Sequence, residues 1–325
     1  MTRALVTGGA GYVGSVVAAV LLDAGYDVIV LDDLSTGHRD AVPPGARLVV
    51  GSIETDAAEL LQDAVDIVLH FAARSLVAES VARPELYWRT NVAGTLALLE
   101  AMRSADARRI VFSSTAAVYG DPDEVPIPVS HPTRPTNPYG ASKLAVDHML
   151  TSYARAHDFA AVSLRYFNVA GARGAQGERH GRETHLVPNA LAAAAGDGPA
   201  LSVFGQDYPT PDGTAVRDYI HVVDLADAHL RAVDAVAGDE AAGTHRVYNL
   251  GSGTGSSVLQ VITEVERVTG RPVPWSAAPR RAGDPAVLVA DGTAARRELG
   301  WQVRRGLDEM VADAWRFRTG RHAHR

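Results

Sequence analysis

The sequence of 325 residues contains no cysteine, which excludes disulfides, thiolate metal ligands and cysteine nucleophiles. Basic residues are not in excess, and the formal net charge of −7 argues against nucleic acid or an anionic membrane as the main partner. No apolar run approaches the roughly 20 residues that are needed to span a bilayer. We therefore expect a soluble, cytoplasmic enzyme that acts on a small molecule, with a core large enough for two lobes.

Lysine is nearly absent, because Lys143 is the single lysine among 31 basic residues. A lysine carries a compact ammonium and an arginine a planar fork, so a site that needs a small charge close to another group cannot accept arginine. Tyr139 precedes Lys143 by four residues, which places both side chains on one face of a helix. An ammonium beside a phenol favours phenolate and lowers its pKa from about 10, as a general base requires. A surface pair is the simpler interpretation unless a second signal supports a site.

The second signal is a glycine-rich turn near the N-terminus. Gly8, Gly11 and Gly14 stand between a short apolar run over 4–7 and a helical pattern that continues to residue 22. Glycines let the backbone approach a pyrophosphate, which binds the exposed amides at the start of the helix. This order of strand, glycine turn and helix is typical of dinucleotide-binding proteins.

An acidic pair follows the next apolar run, which covers 28–31. Asp32 lies 18 residues after Gly14, and Asp33 follows it. A carboxylate at this strand end can accept hydrogen bonds from an adenosine ribose. The two acids would repel a ribose 2′-phosphate, and no basic residue is next to them, so the sequence predicts NAD rather than NADP.

Apolar runs and helical patterns alternate along the middle of the chain. Strands are predicted over 67–73, 109–114 and 161–167, and helices over 84–103 and 139–157. This alternation predicts an α/β fold, with a doubly wound parallel sheet that helices cover on both faces. Ligands bind such sheets at the carboxyl ends of the strands. The residues predicted at these ends are Gly8, Asp32, Phe71, Ser113, Ser114, Thr115 and Asn168.

These residues resemble a known family. The glycine turn, a hydroxyl residue at a strand end (Thr115) and the Tyr139-x-x-x-Lys143 spacing are typical of the extended short-chain dehydrogenase/reductase superfamily. Within it the chain is most similar to the UDP-glucose 4-epimerases, also called UDP-galactose 4-epimerases. The similar blocks cover nearly the whole chain in the family's order, and the most specific are Phe204–Pro209 and Val216–Val222.

The resemblance implies a fold and a division of the chain. The fold is a Rossmann-type doubly wound parallel sheet with a smaller C-terminal α/β substrate lobe. Residues 1–170 would form the NAD-binding domain, to which about 214–250 would return. Residues 171–213 and 251–325 would form the lobe that binds the UDP sugar.

The resemblance also implies a reaction, the reversible NAD-dependent inversion at C4 of a UDP-hexose, which converts UDP-galactose to UDP-glucose through a 4-keto sugar. Tyr139 would take the proton of the 4-hydroxyl, Thr115 would hold the same oxygen, and Lys143 would contact the nicotinamide ribose. Related 4,6-dehydratases place Asp-Glu after the hydroxyl residue, where this chain has Ala116 and Ala117. Alanine moves no protons, so the reaction should stop at the 4-keto stage and reverse.

The resemblance assigns further residues to the two ligands. The predicted cofactor-binding residues are Gly8, Gly11, Tyr12, Val13, Gly14, Asp32, Asp33, Ser35, Ile53, Phe71, Ala72, Ala73, Thr115, Tyr139, Lys143 and Phe167. The predicted substrate-binding residues are Asn168, His185, Leu186, Val203, Phe204, Arg217, Arg281, Asp284 and Leu288. Departures from the family pattern leave open the cofactor contacts of Ser52, Ser75 and Thr90.

Several alternatives remain for the substrate side. Arg217 and Arg281 would hold the pyrophosphate and Asp284 a ribose hydroxyl, although Arg217 could instead form a salt bridge with Asp218 or Asp224. Leu288 would limit the space for a 2-acetamido group, or it could be a core residue. The other functions that remain open are a 4-epimerase for a UDP-pentose, UDP-hexuronate or UDP-N-acetylhexosamine, and a non-catalytic dinucleotide sensor.

Two further expectations concern metals and assembly. His180 and His185 lie near Glu178 and Glu183, but their spacing matches no metal motif and the reaction requires no metal, so we predict none. The resemblance alone places a homodimer interface on two helices, at about 85–103 and 139–157.

Overall fold

The computed structural model describes residues 2–181, 183–281 and 284–322. In chain order the strands are β1 (Arg3–Thr7), β2 (Asp27–Asp32), β3 (Arg47–Val50), β4 (Ile67–His70), β5 (Arg109–Thr115), β6 (Ala160–Tyr166), β7 (Asn168–Ala170), β8 (Ala172–Arg173), β9 (Gln176–Gly177), β10 (Leu201–Phe204), β11 (Val216–His221), β12 (His245–Leu250), β13 (Gly255–Ser257), β14 (Trp275–Ala278) and β15 (Val287–Leu288). The α-helices are α1 (Tyr12–Asp23), α2 (Ala57–Leu61), α3 (Val77–Ala82), α4 (Pro84–Tyr87), α5 (Gly94–Ser104), α6 (Pro138–His157), α7 (Leu186–Ala195), α8 (Val222–Ala235), α9 (Val258–Thr269), α10 (Thr293–Leu299) and α11 (Leu307–His322).

Seven strands form one parallel sheet in the order β3-β2-β1-β4-β5-β6-β12. The central strands are continuous apolar runs, as strands buried on both faces require, and Leu5, Val30 and Leu69 are fully buried. The strand order reverses direction between β1 and β4, which opens a crevice at their carboxyl ends. The sheet therefore has the predicted Rossmann-type topology, and β12 returns to it from the second half of the chain.

Helices cover both faces of this sheet. α1 and α8 pack on one face, around a core that includes Val17, Leu21 and Leu225. α2, α5 and α6 cover the other face, around a core that includes Leu99 and Leu150. Two hydrophobic layers thus hold the sheet and fix where each strand ends.

A smaller α/β part lies in the second half of the chain. There β10 pairs with β14, and β11 pairs with β7, β13 and β15. α7, α9 and α11 pack together around a third core. This arrangement confirms the predicted fold class. Among the described residues, no helix combines the length and the apolar character that crossing a membrane requires.

Two predicted elements differ in detail. The strand predicted over 67–73 ends at His70, because the chain turns past the end of β1, where a Cβ on Gly8 would lie 2.5 Å from the Ala72 amide nitrogen. The helix predicted over 84–103 is α4 and α5 joined by a π-helical segment, Trp88–Ala93. The Thr95 hydroxyl donates to the carbonyl of Asn91 at 2.6 Å, so a side chain competes for a carbonyl of the helical ladder.

Candidate active site

The glycine turn joins β1 to α1 and leaves the start of the helix open. Gly8 has φ +72°, and a Cβ on Gly14 would lie 2.4 Å from the carbonyl oxygen of Gly8, so the turn requires glycine at both positions. Gly11 is the N-cap of α1 and offers no capping side chain to the amides of Tyr12 and Val13. An uncapped helix start of this kind can receive a pyrophosphate.

The two aspartates after β2 have different roles. Asp32 is buried, and its carboxylate accepts hydrogen bonds from the amides of Ala10 (2.9 Å) and Leu34 (2.8 Å). Burial raises the pKa of Asp32, while these two amides oppose the shift. Asp33 accepts from the amide and hydroxyl of Ser35. Asp32 is thus held rigidly beside the turn, with acceptor capacity left for ribose hydroxyls. The turn and the acid together fit NAD.

The other predicted cofactor residues surround this edge of the sheet. Ile53 is buried and faces Gly94, where a Cβ would lie 3.0 Å from its Cδ1. The ring of Phe71 lies 4.9 Å from that of His229. Of the open positions, Ser52 donates its amide to Asp56 at 2.8 Å, and its hydroxyl accepts a neighbouring amide. Ala72 and Ala73 follow β4 directly, and Phe167 connects β6 to β7.

The three predicted catalytic residues meet at the end of β5 and the start of α6. Asn137 caps α6 by accepting the Gly140 amide at 2.9 Å, which places Tyr139 in the first turn. The Thr115 hydroxyl lies near the Tyr139 side chain and favours the ionised form of the phenol. One turn later, Lys143 is only 3% exposed and donates its ammonium to the Ser113 carbonyl at 2.8 Å. A phenol, a hydroxyl and an ammonium therefore share one buried corner.

The electrostatics of this corner correct one prediction. We expected Lys143 to lower the pKa of Tyr139, but burial raises it and the nearby Thr115 hydroxyl only partly opposes the rise. Burial also lowers the pKa of Lys143 to about 7, against the opposing charge of Asp147. The prediction weighed the ammonium and neglected desolvation, which disfavours the charged form of both groups.

A buried ion pair that was not predicted from the sequence lies one helical turn after Lys143. Asp147 lies one turn after Lys143, and its carboxylate accepts from the Arg165 guanidinium at 2.8 Å, with side chains 5% and 8% exposed. Arg165 also donates to the Tyr119 hydroxyl at 3.0 Å. That hydroxyl in turn donates to the Oδ1 atom of Asn249 at 2.7 Å. The i, i+4, i+8 spacing of Tyr139, Lys143 and Asp147 was the available signal.

A second missed network lies under β4. His70 bridges the hydroxyls of Thr7 (2.7 Å) and Thr95 (2.8 Å). Burial lowers the pKa of His70 to about 3, and the nearby Lys143 adds to the shift. His70 is therefore neutral at physiological pH and adds no charge beside the lysine.

On the substrate side, Arg217 pairs with Asp284 rather than with Asp218 or Asp224. Its guanidinium contacts the Asp284 carboxylate and donates to the Val216 carbonyl at 2.7 Å. Successive side chains of β11 point to opposite faces, so Asp218 faces away and accepts three backbone amides. Asp224 lies in α8 and pairs with Arg305, which precedes α11. The structure thus joins two predicted substrate ligands, and Arg217 pairs with neither aspartate of the alternative interpretation.

Four more predicted substrate residues line the smaller part. The Arg281 guanidinium lies 3.9 Å from the centre of the Phe204 ring. Val203 is fully buried in the third core, so only its backbone can face a ligand. Leu288 stands opposite Arg217 in the β11–β15 register and is partly buried.

The remaining predicted substrate residues are held by local contacts. Asn168 stands opposite Tyr219 in the β7–β11 register, and burial raises the pKa of Tyr219, a shift that the Asn168 side chain opposes. Leu186 begins α7, and His185 is the N-cap residue before it. The His185 Nδ1 atom lies 2.6 Å from a carboxylate oxygen of Glu178.

Comparison with known proteins places this site in a family. The NAD dependent epimerase/dehydratase family model matches residues 4–251. The chain is 55% identical to a UDP-glucose 4-epimerase of Corynebacterium glutamicum, covering 97% of this chain and 95% of the relative. It is 57% identical to one of Streptomyces lividans, with the same coverage.

Solved structures agree with these relatives. A UDP-glucose 4-epimerase of Brucella ovis in complex with NAD is 44% identical, with a TM-score of 0.93 and 98% of each chain covered. One of Bifidobacterium longum in complex with NAD+ and UDP is 39% identical, with a TM-score of 0.91 and 98% of each chain covered. From the glycine turn, the buried Thr115–Tyr139–Lys143 corner and these similarities, the chain belongs to the NAD dependent epimerase/dehydratase family, among its UDP-glucose 4-epimerases.

Proposed function

We propose that this protein inverts C4 of a UDP-hexose reversibly, interconverting UDP-galactose and UDP-glucose. The observation that carries the proposal is the corner in which Thr115, at the end of β5, and Tyr139 and the single lysine, at the start of α6, come together. Ala116 and Ala117 follow the hydroxyl residue and carry no group that could eliminate water. The geometry thus favours oxidation and re-reduction at one carbon.

Tyr139, Thr115 and Lys143 have different roles in the proton transfer. NAD, when bound, accepts a hydride from C4 and returns it. Tyr139 takes the proton of the 4-hydroxyl, so the sugar becomes a 4-ketone, and gives the proton back when the hydride returns to the opposite face. Thr115 donates a hydrogen bond to the same oxygen and keeps it in place. Lys143 holds a positive charge near the phenol and favours its deprotonation during the reaction.

The UDP group stays anchored while the sugar turns. Arg281 is exposed and stacked on Phe204, so its guanidinium is oriented for a phosphate. Arg217 is only 13% exposed and is held by Asp284. We propose that a pyrophosphate takes over part of this ion pair, which leaves Asp284 free to accept a ribose hydroxyl.

A panel of UDP sugars tests this proposal. Purified protein is incubated without added cofactor with UDP-galactose, UDP-N-acetylgalactosamine, a UDP-pentose and a UDP-hexuronate, and the products are analysed. We expect UDP-glucose from UDP-galactose at the highest kcat/KM. Tyr139→Phe should keep the bound NAD and lose the activity. Turnover of another sugar alone would assign the enzyme to that sugar, and no turnover would favour a dinucleotide sensor.

Leu288 is proposed to limit the space beside C2 of the sugar. Leu288→Ser should raise the kcat/KM ratio of UDP-N-acetylgalactosamine to UDP-galactose by opening volume, and Leu288→Tyr should lower it. If Leu288 is only a core residue, both activities fall together and the ratio stays constant. The ratio therefore separates a specificity residue from a structural one.

We also propose a cytoplasmic homodimer that serves galactose metabolism. Val77, Val81, Trp88 and Leu96 are between 44% and 64% exposed, and all lie in the segment from α3 to α5. Exposed apolar side chains concentrated in this way favour a protein interface. Trp88→Glu should shift the mass in analytical ultracentrifugation from dimer to monomer. Trp275→Glu, at a residue 40% exposed elsewhere, should leave the mass unchanged.

A further inference from the structure

Two histidines and two glutamates converge between β9 and α7. Glu178, His180, Glu183 and His185 each offer one ligand atom, and these four atoms all lie within 4.8 Å of one another. The reaction proposed above uses none of the four as a proton donor or acceptor. The spacing of the residues predicts no metal motif, because the loop that contains them has to fold before the side chains meet.

The His–Glu distances within this cluster lie on both sides of the ligand separation in a tetrahedral shell. The His185 Nδ1 atom lies 2.6 Å from Glu178 Oε1 and 2.8 Å from Glu183 Oε1. The His180 Nδ1 atom lies 3.1 Å from Glu178 Oε1 and 3.7 Å from Glu183 Oε2. Ligand atoms about 2.0–2.2 Å from a tetrahedral zinc ion are separated by about 3.3 Å, in the middle of this range.

Each imidazole faces two carboxylates with the same nitrogen, Nδ1, and makes one hydrogen bond with it. His180 bonds Glu178, His185 bonds Glu183, and the second carboxylate of each pair is a charge contact only. One divalent cation would accept a lone pair from both nitrogens and from both carboxylates. The ion would have to displace the protons of both imidazoles, because the two glutamates, against the effect of burial, raise the pKa of His180 to about 9 and that of His185 to about 10.

The surroundings provide support and access. Glu183 Oε1 accepts the amides of Thr184 (2.7 Å) and His185 (2.8 Å), which orients the carboxylate as outer hydrogen bonds do in metal sites. Glu178, His180 and Glu183 also line a cavity of about 570 Å³ that opens to solvent, which gives an ion a path of entry.

We propose that the His–Glu cluster binds one divalent transition-metal ion of the zinc type. Two imidazoles and two carboxylates suit zinc, whereas calcium and magnesium prefer oxygen ligands in larger shells. Four protein ligands form a closed, structural site. The ion links the chain after β9 to the start of α7, and so fixes a loop whose Arg179 forms two hydrogen bonds of 2.9 Å with Asp40 near the cofactor-binding edge.

Metal content and thermal stability test this proposal on the full-length protein without an affinity tag. The protein is expressed in medium with zinc, passed through gel filtration and analysed for metal by mass spectrometry. We expect about one zinc per chain, and a strong chelator should remove it and lower Tm by several degrees. Cobalt added to the chelated protein should give the visible absorption of a tetrahedral site.

A matched pair of variants locates the metal. His180→Gln with Glu183→Gln should lose at least about tenfold in zinc affinity. His322→Gln with His324→Gln removes two histidines near the end of the sequence and should keep the metal. The proposal is overturned if wild type retains no zinc, shows no cobalt spectrum and gains no Tm from zinc. It also fails if the tail variant loses the metal. The wild-type measurements decide the matter if the cluster variant does not fold.

Discussion

At the scale of single residues, the buried ammonium of Lys143 explains why this position alone keeps lysine. The side chain is 3% exposed, bonds a carbonyl at 2.8 Å and lies 4.7 Å from the centre of the Phe112 ring. Burial lowers its pKa to about 7, and the carbonyl and the ring are contacts that favour the charged ammonium. An arginine stays charged at any physiological pH and needs more space. The preference for arginine over lysine in the rest of the chain therefore does not extend to position 143.

The first prediction concerns this lysine. Lys143→Arg should leave the protein folded but lower kcat about a hundredfold or more, since a misplaced partner disables the acid–base step. Arg155→Lys is the matched control, because Arg155 is exposed on the same helix, and it should leave kcat unchanged. Initial rates on UDP-galactose measure both. A kcat for Lys143→Arg within about threefold of wild type would contradict the role given to the lysine.

At this scale, contacts between residues that are close in the sequence were predictable, and contacts between residues that are distant in the sequence were not. Tyr139 and Lys143 are one helical turn apart, so their meeting was predictable. The partner of Arg217 is Asp284, which lies 67 residues away in the sequence. Only the nearby aspartates, Asp218 and Asp224, were considered as salt-bridge partners from the sequence. The predicted direction of the Tyr139 pKa shift was wrong, because it depends on how deeply the phenol is buried. Burial depends on the whole fold and cannot be deduced from residue spacing.

At the scale of elements, α1 approaches β1 so closely that only hydrogen fits between them at Gly14. A Cβ there would lie 2.4 Å from the backbone oxygen of Gly8, and backbone cannot rotate away. Gly14→Ala should therefore displace the helix start and weaken NAD binding at least about tenfold, although alanine favours helix in isolation.

A glycine elsewhere in a helix provides the control for this second prediction. Gly320 lies in α11, and a Cβ there would meet no atom within 4 Å. Gly320→Ala should keep NAD affinity and be neutral or stabilising by up to about 1 kcal/mol. Isothermal titration with NAD, after removal of bound nucleotide, compares the variants. Equal affinity in both would show that the close approach does not shape the cofactor site.

The third prediction concerns the pair that ties α6 to β6. Asp147→Asn leaves the buried Arg165 without a counter-charge and should cost about 3–5 kcal/mol of unfolding free energy. Replacing both residues, Asp147→Leu with Arg165→Met, should cost clearly less than the sum of the two single changes. Urea unfolding of wild type, Asp147→Leu, Arg165→Met and the double variant gives the coupling energy. Additive losses would show that the pair is not the unit that holds the helix.

Elements were more predictable than the contacts between them. Every apolar run that was predicted as a strand of the parallel sheet forms one. The alternation of these runs with helical patterns predicted the fold class. The His–Glu cluster escaped it, because Glu178, His180, Glu183 and His185 lie in a loop between β9 and α7, where no periodicity predicts which side chains converge. The same is true of Asp147 and Arg165, which meet only when α6 packs on the sheet.

At the scale of the whole molecule, buried histidines set its tolerance of acid. Burial lowers the pKa of His70 to about 3 and the pKa values of His229 and His245 to about 4. In the unfolded chain each histidine would titrate near 6.5. Because the folded pKa values are lower, the unfolded chain binds more protons below pH 6.5. The stability from keeping these rings neutral is present above pH 6.5 and is lost as the pH falls towards 4.

The fourth prediction isolates one of these rings. His229 packs against Phe71 at 4.9 Å, and its Nε2 atom is buried with no hydrogen-bond partner among the residues that the structure describes. His229→Phe should therefore keep the ring contact and be at least as stable as wild type at pH 7. Between pH 6.5 and 4.5 its unfolding free energy should fall less steeply, by up to about 1.4 kcal/mol per pH unit. Urea unfolding across this range measures the slope, and His148→Gln, at an exposed histidine, should keep the wild-type slope. Parallel curves for wild type and His229→Phe would mean that the buried ring does not control acid unfolding, and that the carboxylates common to both proteins do.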